Sequence, residues 1–189
     1  MFRRIWLRPR ILRNVRYVDP STKILGIPSA LPFYITATAL GRMGHPDGEL
    51  NLTRAAAKTG LIQMIPTLSS VSFDEIIDAR NQEGGPAQFF QLYVSTDRNV
   101  VANMLRRAEE TNVKAIFVTV DAPQLGRREQ DMRMHFVDEG SDVQGGHVEK
   151  RDEGAARAIT SFIDPSFDWD DVLWMKRQTR LPILSLIHI

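Results

Sequence analysis

The chain has 189 residues, 43% of them hydrophobic, which is enough for one ordinary domain, or a piece of a larger one, with a real core. Twenty-four Lys and Arg stand against 23 Asp and Glu, and the net charge of +1 supplies no field to recruit nucleic acid or acidic lipid non-specifically. Cysteine is absent, which excludes a disulfide framework, a thiolate metal site and a cysteine nucleophile, and no run reaches the roughly 18 apolar residues of a membrane span.

The N-terminus, "MFRRIWLRPRILRNVR", carries six arginines before the first acid, Asp19. That bias resembles an organelle transit peptide, but Pro9 interrupts an amphipathic helix and serine is lacking, so a solvated edge of the fold is the favoured reading. "LPFYITATAL" (31–40) predicts a first strand, followed by the Gly/Pro turn "GRMGHPDGE". "LNLTRAAAKTG" predicts a helix with Gly60 at its C-terminal cap, and "LIQMIPTL" a second strand. Ser72 and Glu75 have the spacing of a capping box that starts the next helix. "AQFFQLYV" is the third strand, "STDRNVVANMLRRAEETN" a helix and "VKAIFVTVD" the fourth strand. A polar stretch over about 126–160 separates this strand from a capped helix in "DPSFDWDDVLWMKRQTR", and "LPIL" opens a fifth strand.

Strands alternating with amphipathic helices at this spacing imply an α/β fold with parallel strands and helical crossovers. Periodicity leaves a doubly wound sheet and a TIM barrel both open, and both carry their sites at strand C-terminal ends. Neither G-x-G-x-x-G nor G-x-x-x-x-G-K-[ST] follows a strand, so a standard dinucleotide or nucleotide phosphate loop is not expected.

Side chains alternate along a strand, so Thr119 and Asp121 share one face, as do Gln91 and Tyr93. In a barrel these pairs would converge on an axial pocket. Strand ends are also polar because loops begin there, and pattern alone leaves both readings open. Arg128 lies just past Asp121 and could hold a substrate carboxylate through two parallel hydrogen bonds. Arg127 and Arg133 read as solvated. His45, His135 and His147 lack ligand spacing and read as exposed, so no metal site is indicated.

Five ordered blocks, "FYITATALGRMGHPDGE", "IQMIPTLSSVSFDEI", "QFFQLYVSTDR", "KAIFVTVDAPQLGRREQDMR" and "FIDPSFDWDDVLWMK", together resemble the FMN-dependent 2-hydroxy acid dehydrogenases and oxidases. Within that family the wording is most similar to the flavin domain of the fungal cytochrome-type L-lactate dehydrogenases. The resemblance implies a TIM barrel with FMN at its C-terminal mouth. It implies that Ala37, Thr38 and Ala39 lie along the flavin and that Gln91 and Thr119 hydrogen-bond it. Tyr93 and Arg128 match substrate contacts, and Asp121 matches the acid that orients the catalytic histidine and stabilises its imidazolium. Pro66 stands where several relatives carry a flavin-contacting serine, leaving Thr67 as a neighbour of that contact.

On the same resemblance, residues 1–189 are expected to be the first half of such a barrel, family-like to about 184, with a foreign tail at 185–189. The family's later lysine, its S-N-H-G-G base motif and its phosphate-binding segments do not occur, and His188 lacks the setting to replace the base. The chain alone is therefore expected to associate with itself and to turn over no lactate. The complete protein would oxidise an L-2-hydroxy acid, L-lactate first among them, and pass electrons to a haem or to cytochrome c. Any haem would sit in a separate domain outside this chain. Homotetramers and a mitochondrial intermembrane-space location go with the resemblance. The alternative is a catalytically dead half-barrel that binds or assembles with a partner.

Overall fold

The computed structural model describes residues 2–121, 123, 126, 129–134 and 162–187. Two short strands, β1 (Thr22–Ile24) and β2 (Ile27–Ser29), pair as an antiparallel hairpin. Then come α1 (Leu50–Thr59), β3 (Met64–Ile65), α2 (Phe73–Gln82), β4 (Gln88–Leu92), α3 (Arg98–Glu110) and β5 (Val113–Thr119). Among the described helices α4 is Glu129–Met134 and α5 is Trp169–Gln178, and β6 (Ile183–Leu186) follows.

The main sheet is parallel, in the order β3-β4-β5-β6, and Ile35 joins it on the β3 side through a parallel bridge to Gln63. Spatial order thus equals chain order. A doubly wound sheet reverses its strand order at a switch point. No reversal occurs among the described strands, and the winding is that of part of an α/β barrel, resolving the choice that periodicity left open.

Side-chain alternation sends each strand's residues to two separate cores. Ile65, Phe90, Leu92, Ile116 and Val118 face the helices, where they meet Ile76, Val101, Leu105 and Met175. Ile62, Met64, Phe89, Ala115 and Phe117 face the opposite way and pack with Tyr34, Ala37, Leu184 and Leu186. The Phe89 ring meets Tyr34 edge-on at 5.6 Å and Phe117 at 5.2 Å.

Local chemistry explains the helix ends. Gly60 takes the left-handed conformation (φ 67°) that ends α1, and its N–H reaches the carbonyls of Ala56 and Ala57. Ser72 and Glu75 form the expected capping box on α2, and Asp168 with Asp171 forms another on α5.

Two features differ from the sequence expectation, and a third extends it. The run 31–40 is not a full strand: Ile35 donates to Ile62 O at 2.9 Å and accepts from Met64 N at 2.8 Å, and pairing ends there. Pro32 has no N–H to give, and beyond Ile35 the chain turns away, with Leu40 left-handed at φ 58°. The β1–β2 hairpin was not anticipated. Its turn places Leu25 (φ 51°) and Gly26 (φ 80°) both at positive φ, a geometry usually announced by Asn-Gly, and leucine in the first position hides it. Ser185 and Leu186 extend β6, in register with Val118 and Thr119.

The hairpin lies at the sheet's N-terminal end, since Ala30 donates to Gly60 O at 3.0 Å just before β3 begins. The opposite end, where β3, β4 and β5 finish, is left to the loops that carry the polar residues.

Candidate functional site

Three polar side chains link the ends of β3, β4 and β5. The Thr67 amide donates to Gln91 Oε1 at 3.0 Å, and the Thr67 hydroxyl donates to the Gln91 carbonyl at 2.6 Å. Gln91 Nε2 donates to Thr119 Oγ1 at 2.8 Å. The Tyr93 amide donates back to Thr67 Oγ1 at 3.0 Å. Thr67, Gln91 and Thr119 are all buried. Gln91 and Thr119 share strand parity with Phe89 and Phe117, so they lie on the inner face above the aromatic cluster.

This chain is directional. Gln91 Oε1 is committed to Thr67, and Thr119 Oγ1 accepts from Gln91. Among the described residues, one Nε2 hydrogen of Gln91 and the Thr119 hydroxyl hydrogen remain to be donated. Both atoms already share one hydrogen bond, so this remaining capacity is available to a ligand without either atom being left unpaired. Ala37 packs on the same inner cluster, whereas Thr38 is exposed and Ala39 half-buried.

Asp121 lies two residues past Thr119 and is exposed. The Val120 amide still donates to Leu186 O at 3.3 Å, so the ladder extends beyond Thr119. Val120 lines the same groove as Val118, and Asp121 follows it at the bend where β5 ends. Tyr93 is half-buried where β4 becomes loop. Arg128, together with Arg127, His135 and His147, lies outside the described residues. Arg133 and His45 are exposed.

A charged cluster braces the Tyr93 loop. Ser95 bridges Ile163, and Asp164 N donates to Val94 O at 2.8 Å. Arg98 reaches Asp164 at 2.6 Å and Asp171 at 2.8 Å, and also donates to Ser95 O at 2.6 Å. Hydrogen bonds from the Ser166 hydroxyl and amide, helped by Arg98, hold the Asp164 carboxyl below its ordinary value against the opposing pull of burial.

Sequence reasoning passed over Glu49 and Ser70, and treated Thr67 only as the neighbour of a flavin contact. Glu49 is fully buried and lies inside a turn that reads as generic Gly/Pro punctuation. Its Oε1 accepts from Gly41 N at 2.9 Å and Ser70 N at 3.1 Å, and its Oε2 from the Ser70 hydroxyl at 2.6 Å. Burial pushes the Glu49 pKa up, but these donors outweigh it and the net shift is downward. A usable signal was an acid directly after Asp-Gly at the start of a helix it does not cap.

The Glu49 and Asp164 shifts set an acid limit. Carboxyls whose folded pKa is depressed stabilise the fold above their ordinary pKa, about 4, and that stability is lost as pH falls through the folded value. The urea midpoint of unfolding is expected to drop as pH goes below about 4. A midpoint that rises with acidification would contradict the ionised assignments.

A parallel sheet wound in chain order, with its polar network at the C-terminal strand ends, has the layout of an α/β-barrel enzyme. A model of the FMN-dependent dehydrogenases matches residues 1–185, and the chain belongs to that family. It is 48% identical over 184 residues to the L-lactate dehydrogenase (cytochrome) of Wickerhamomyces anomalus, a match covering 97% of this chain and 32% of that protein. It is 42% identical over 193 residues to the glycolate oxidase of Spinacia oleracea, covering 97% of this chain and 51% of the relative. The crystal structure of the recombinant flavin-binding domain of baker's yeast flavocytochrome b2 superposes with a TM-score of 0.79 at 41% identity, over 97% of this chain and 43% of that one. The chain thus spans between about a third and a half of the length of these proteins.

Proposed function

We propose that this chain forms the first half of an FMN-binding barrel that oxidises an L-2-hydroxy acid, L-lactate before others, to the 2-oxo acid. The observation that carries the reading is the Thr67–Gln91–Thr119 chain, which leaves two buried donors on the inner face beside Ala37.

The donor set fits a flavin. An isoalloxazine edge offers carbonyl and ring-nitrogen acceptors, which suit the spare Gln91 and Thr119 hydrogens. Ala37 and Ala39 have no bulk to obstruct a flat ring, and the backbone of 37–39 can reach it. When bound, FMN would take up the two electrons released as the hydroxy acid's C–H and O–H bonds break and its C=O forms. Asp121 would accept a hydrogen bond from a histidine of the other half-barrel, set its tautomer and stabilise its protonated form. Tyr93 and Arg128 would hold the substrate carboxylate, the guanidinium by paired hydrogen bonds.

The name of the Wickerhamomyces anomalus relative supports lactate as substrate and a cytochrome as acceptor, and the slightly lower identity to glycolate oxidase keeps glycolate second. A cytochrome c acceptor, haem on a separate domain, a homotetramer and residence in the mitochondrial intermembrane space go with the lactate reading. No helix among the described residues is long and apolar enough to cross a membrane.

The alternative, a non-catalytic half-barrel that pairs with a partner, has one observation behind it. An open groove of about 530 Å³ runs beside β6, lined by Val118, Val120, Phe167, Trp169, Val172 and Ile183, with Trp169 76% exposed.

A hybrid separates the two: residues 1–184 exchanged for the matching segment of the Wickerhamomyces anomalus enzyme. The hybrid is expected to hold FMN and to lose its flavin absorbance on anaerobic mixing with L-lactate, with glycolate slower. A hybrid that folds and holds FMN but is bleached by no 2-hydroxy acid would favour the non-catalytic reading.

A further inference from the structure

Leu40 holds a left-handed backbone (φ 58°) directly after Ala37–Ala39, a conformation that a bulky residue adopts only when its surroundings force it. The forcing group is visible. Gly41, the next residue, gives its N–H to the buried Glu49 carboxylate at 2.9 Å, and Leu40 N reaches Leu68 O at 3.4 Å. The same carboxylate holds the amide and hydroxyl of Ser70, while the Ser70 hydroxyl oxygen accepts from Arg42 N at 2.9 Å. Glu49 therefore ties the loop after Ile35 to the loop after β3, the one that contains Thr67.

The socket around this carboxylate is shaped for it. A Cβ on Gly41 would come within 2.9 Å of Glu49 N and 3.0 Å of Glu49 Cδ, and a Cβ on Gly48 (φ 51°) within 2.9 Å of Ser70 Oγ. Glu49 occupies the N-cap position of α1 yet makes no side-chain cap bond there. Capping would be the ordinary use of an acid at that place, and its carboxylate is spent on the two loops instead.

We propose that Glu49 is a positioning residue for the flavin site: through Gly41 and Ser70 it holds Leu40 in its strained conformation and so fixes the path of Ala37–Ala39. The inference rests on the flavin reading above, and its test distinguishes failure of one from failure of the other.

FMN is titrated into the flavin-stripped hybrid described above and flavin fluorescence is followed. The variants are Glu49→Gln, which puts an amide where an acceptor is needed, Leu40→Gly, and the two combined. Glu49→Gln is expected to weaken FMN binding about tenfold. The double variant is expected to recover most of that loss, because glycine adopts the left-handed conformation without being held there. A purely structural role for Glu49 would give no such rescue, since Leu40→Gly restores none of the lost hydrogen bonds. Unchanged affinity in Glu49→Gln, or a double variant as weak as Glu49→Gln, overturns the proposal. A hybrid with the unaltered segment that folds but shows no saturable FMN binding overturns the flavin reading itself, and this inference with it.

Discussion

Asp121→Asn in the hybrid barrel is expected to lower 2-hydroxy acid turnover by about 10²–10⁴-fold, by analogy with other acids that orient a catalytic histidine. FMN content should stay unchanged. The expectation rests on the proposed role and on placement: Val120 still donates to Leu186 O at 3.3 Å, so Asp121 stands at the C-terminal end of β5, just past Thr119. An amide there can still occupy the volume, but it can no longer stabilise a histidine that acquires a proton. The loss should fall on kcat more than on KM, because the substrate carboxylate is assigned to Tyr93 and Arg128. Steady-state kinetics normalised to bound flavin would show it, and an unchanged kcat would remove Asp121 from the reaction.

Phe89→Ala is expected to cost about 3–5 kcal/mol of stability, the usual range for emptying a buried phenylalanine site. Phe89 is fully buried and sits between Tyr34 and Phe117, at the centre of the inner core. The cavity would open directly beneath Gln91, two residues along β4 on the same face. Loss of that size is a large share of the roughly 5–15 kcal/mol that holds a domain together, so the alanine variant could fail to accumulate. Phe89→Leu keeps most of the volume and should cost less than half as much, while also loosening FMN. Urea unfolding of the hybrid measures both. A Phe89→Leu protein as stable as wild type would show that the inner face is not close-packed.

Several elements were legible in the sequence because local chemistry and global fold agree. Ser72 and Glu75 announce α2, Gly60 ends α1, and the apolar runs of β4 and β5 are those of strands buried on both faces. Periodicity did not give strand order, because it reports only which residues are buried; the family resemblance implied it through the barrel. The parallel pairings of β3 to β4, β4 to β5 and β5 to β6 supply it. The first strand was overread: an apolar run at a sheet edge makes few ladder bonds when one side is unpaired and a proline precedes it. The hairpin was missed because Leu25 occupies a position where asparagine would have given the turn away.

At the site, the sequence picked out Gln91 and Thr119, and they meet at 2.8 Å. What it could not convey is that Thr67 fixes the orientation of Gln91, for that depends on two strand ends being adjacent. Glu49 was hidden for the same reason. Its partners Gly41 and Ser70 lie 8 and 21 residues away in the chain, and nothing in a composition or a motif joins them.

The central claim is that the Thr67–Gln91–Thr119 chain presents its spare donors to a flavin. The measurement that tests it most directly is the FMN affinity of the flavin-stripped hybrid, read from quenching of flavin fluorescence, in wild type, Gln91→Leu and Thr119→Val. Saturable, stoichiometric binding in wild type and a loss of tenfold or more in Gln91→Leu, equivalent to about 1.4 kcal/mol or more, is the expected result, with a smaller loss in Thr119→Val. Equal FMN affinity in all three proteins, each folded, would contradict the account.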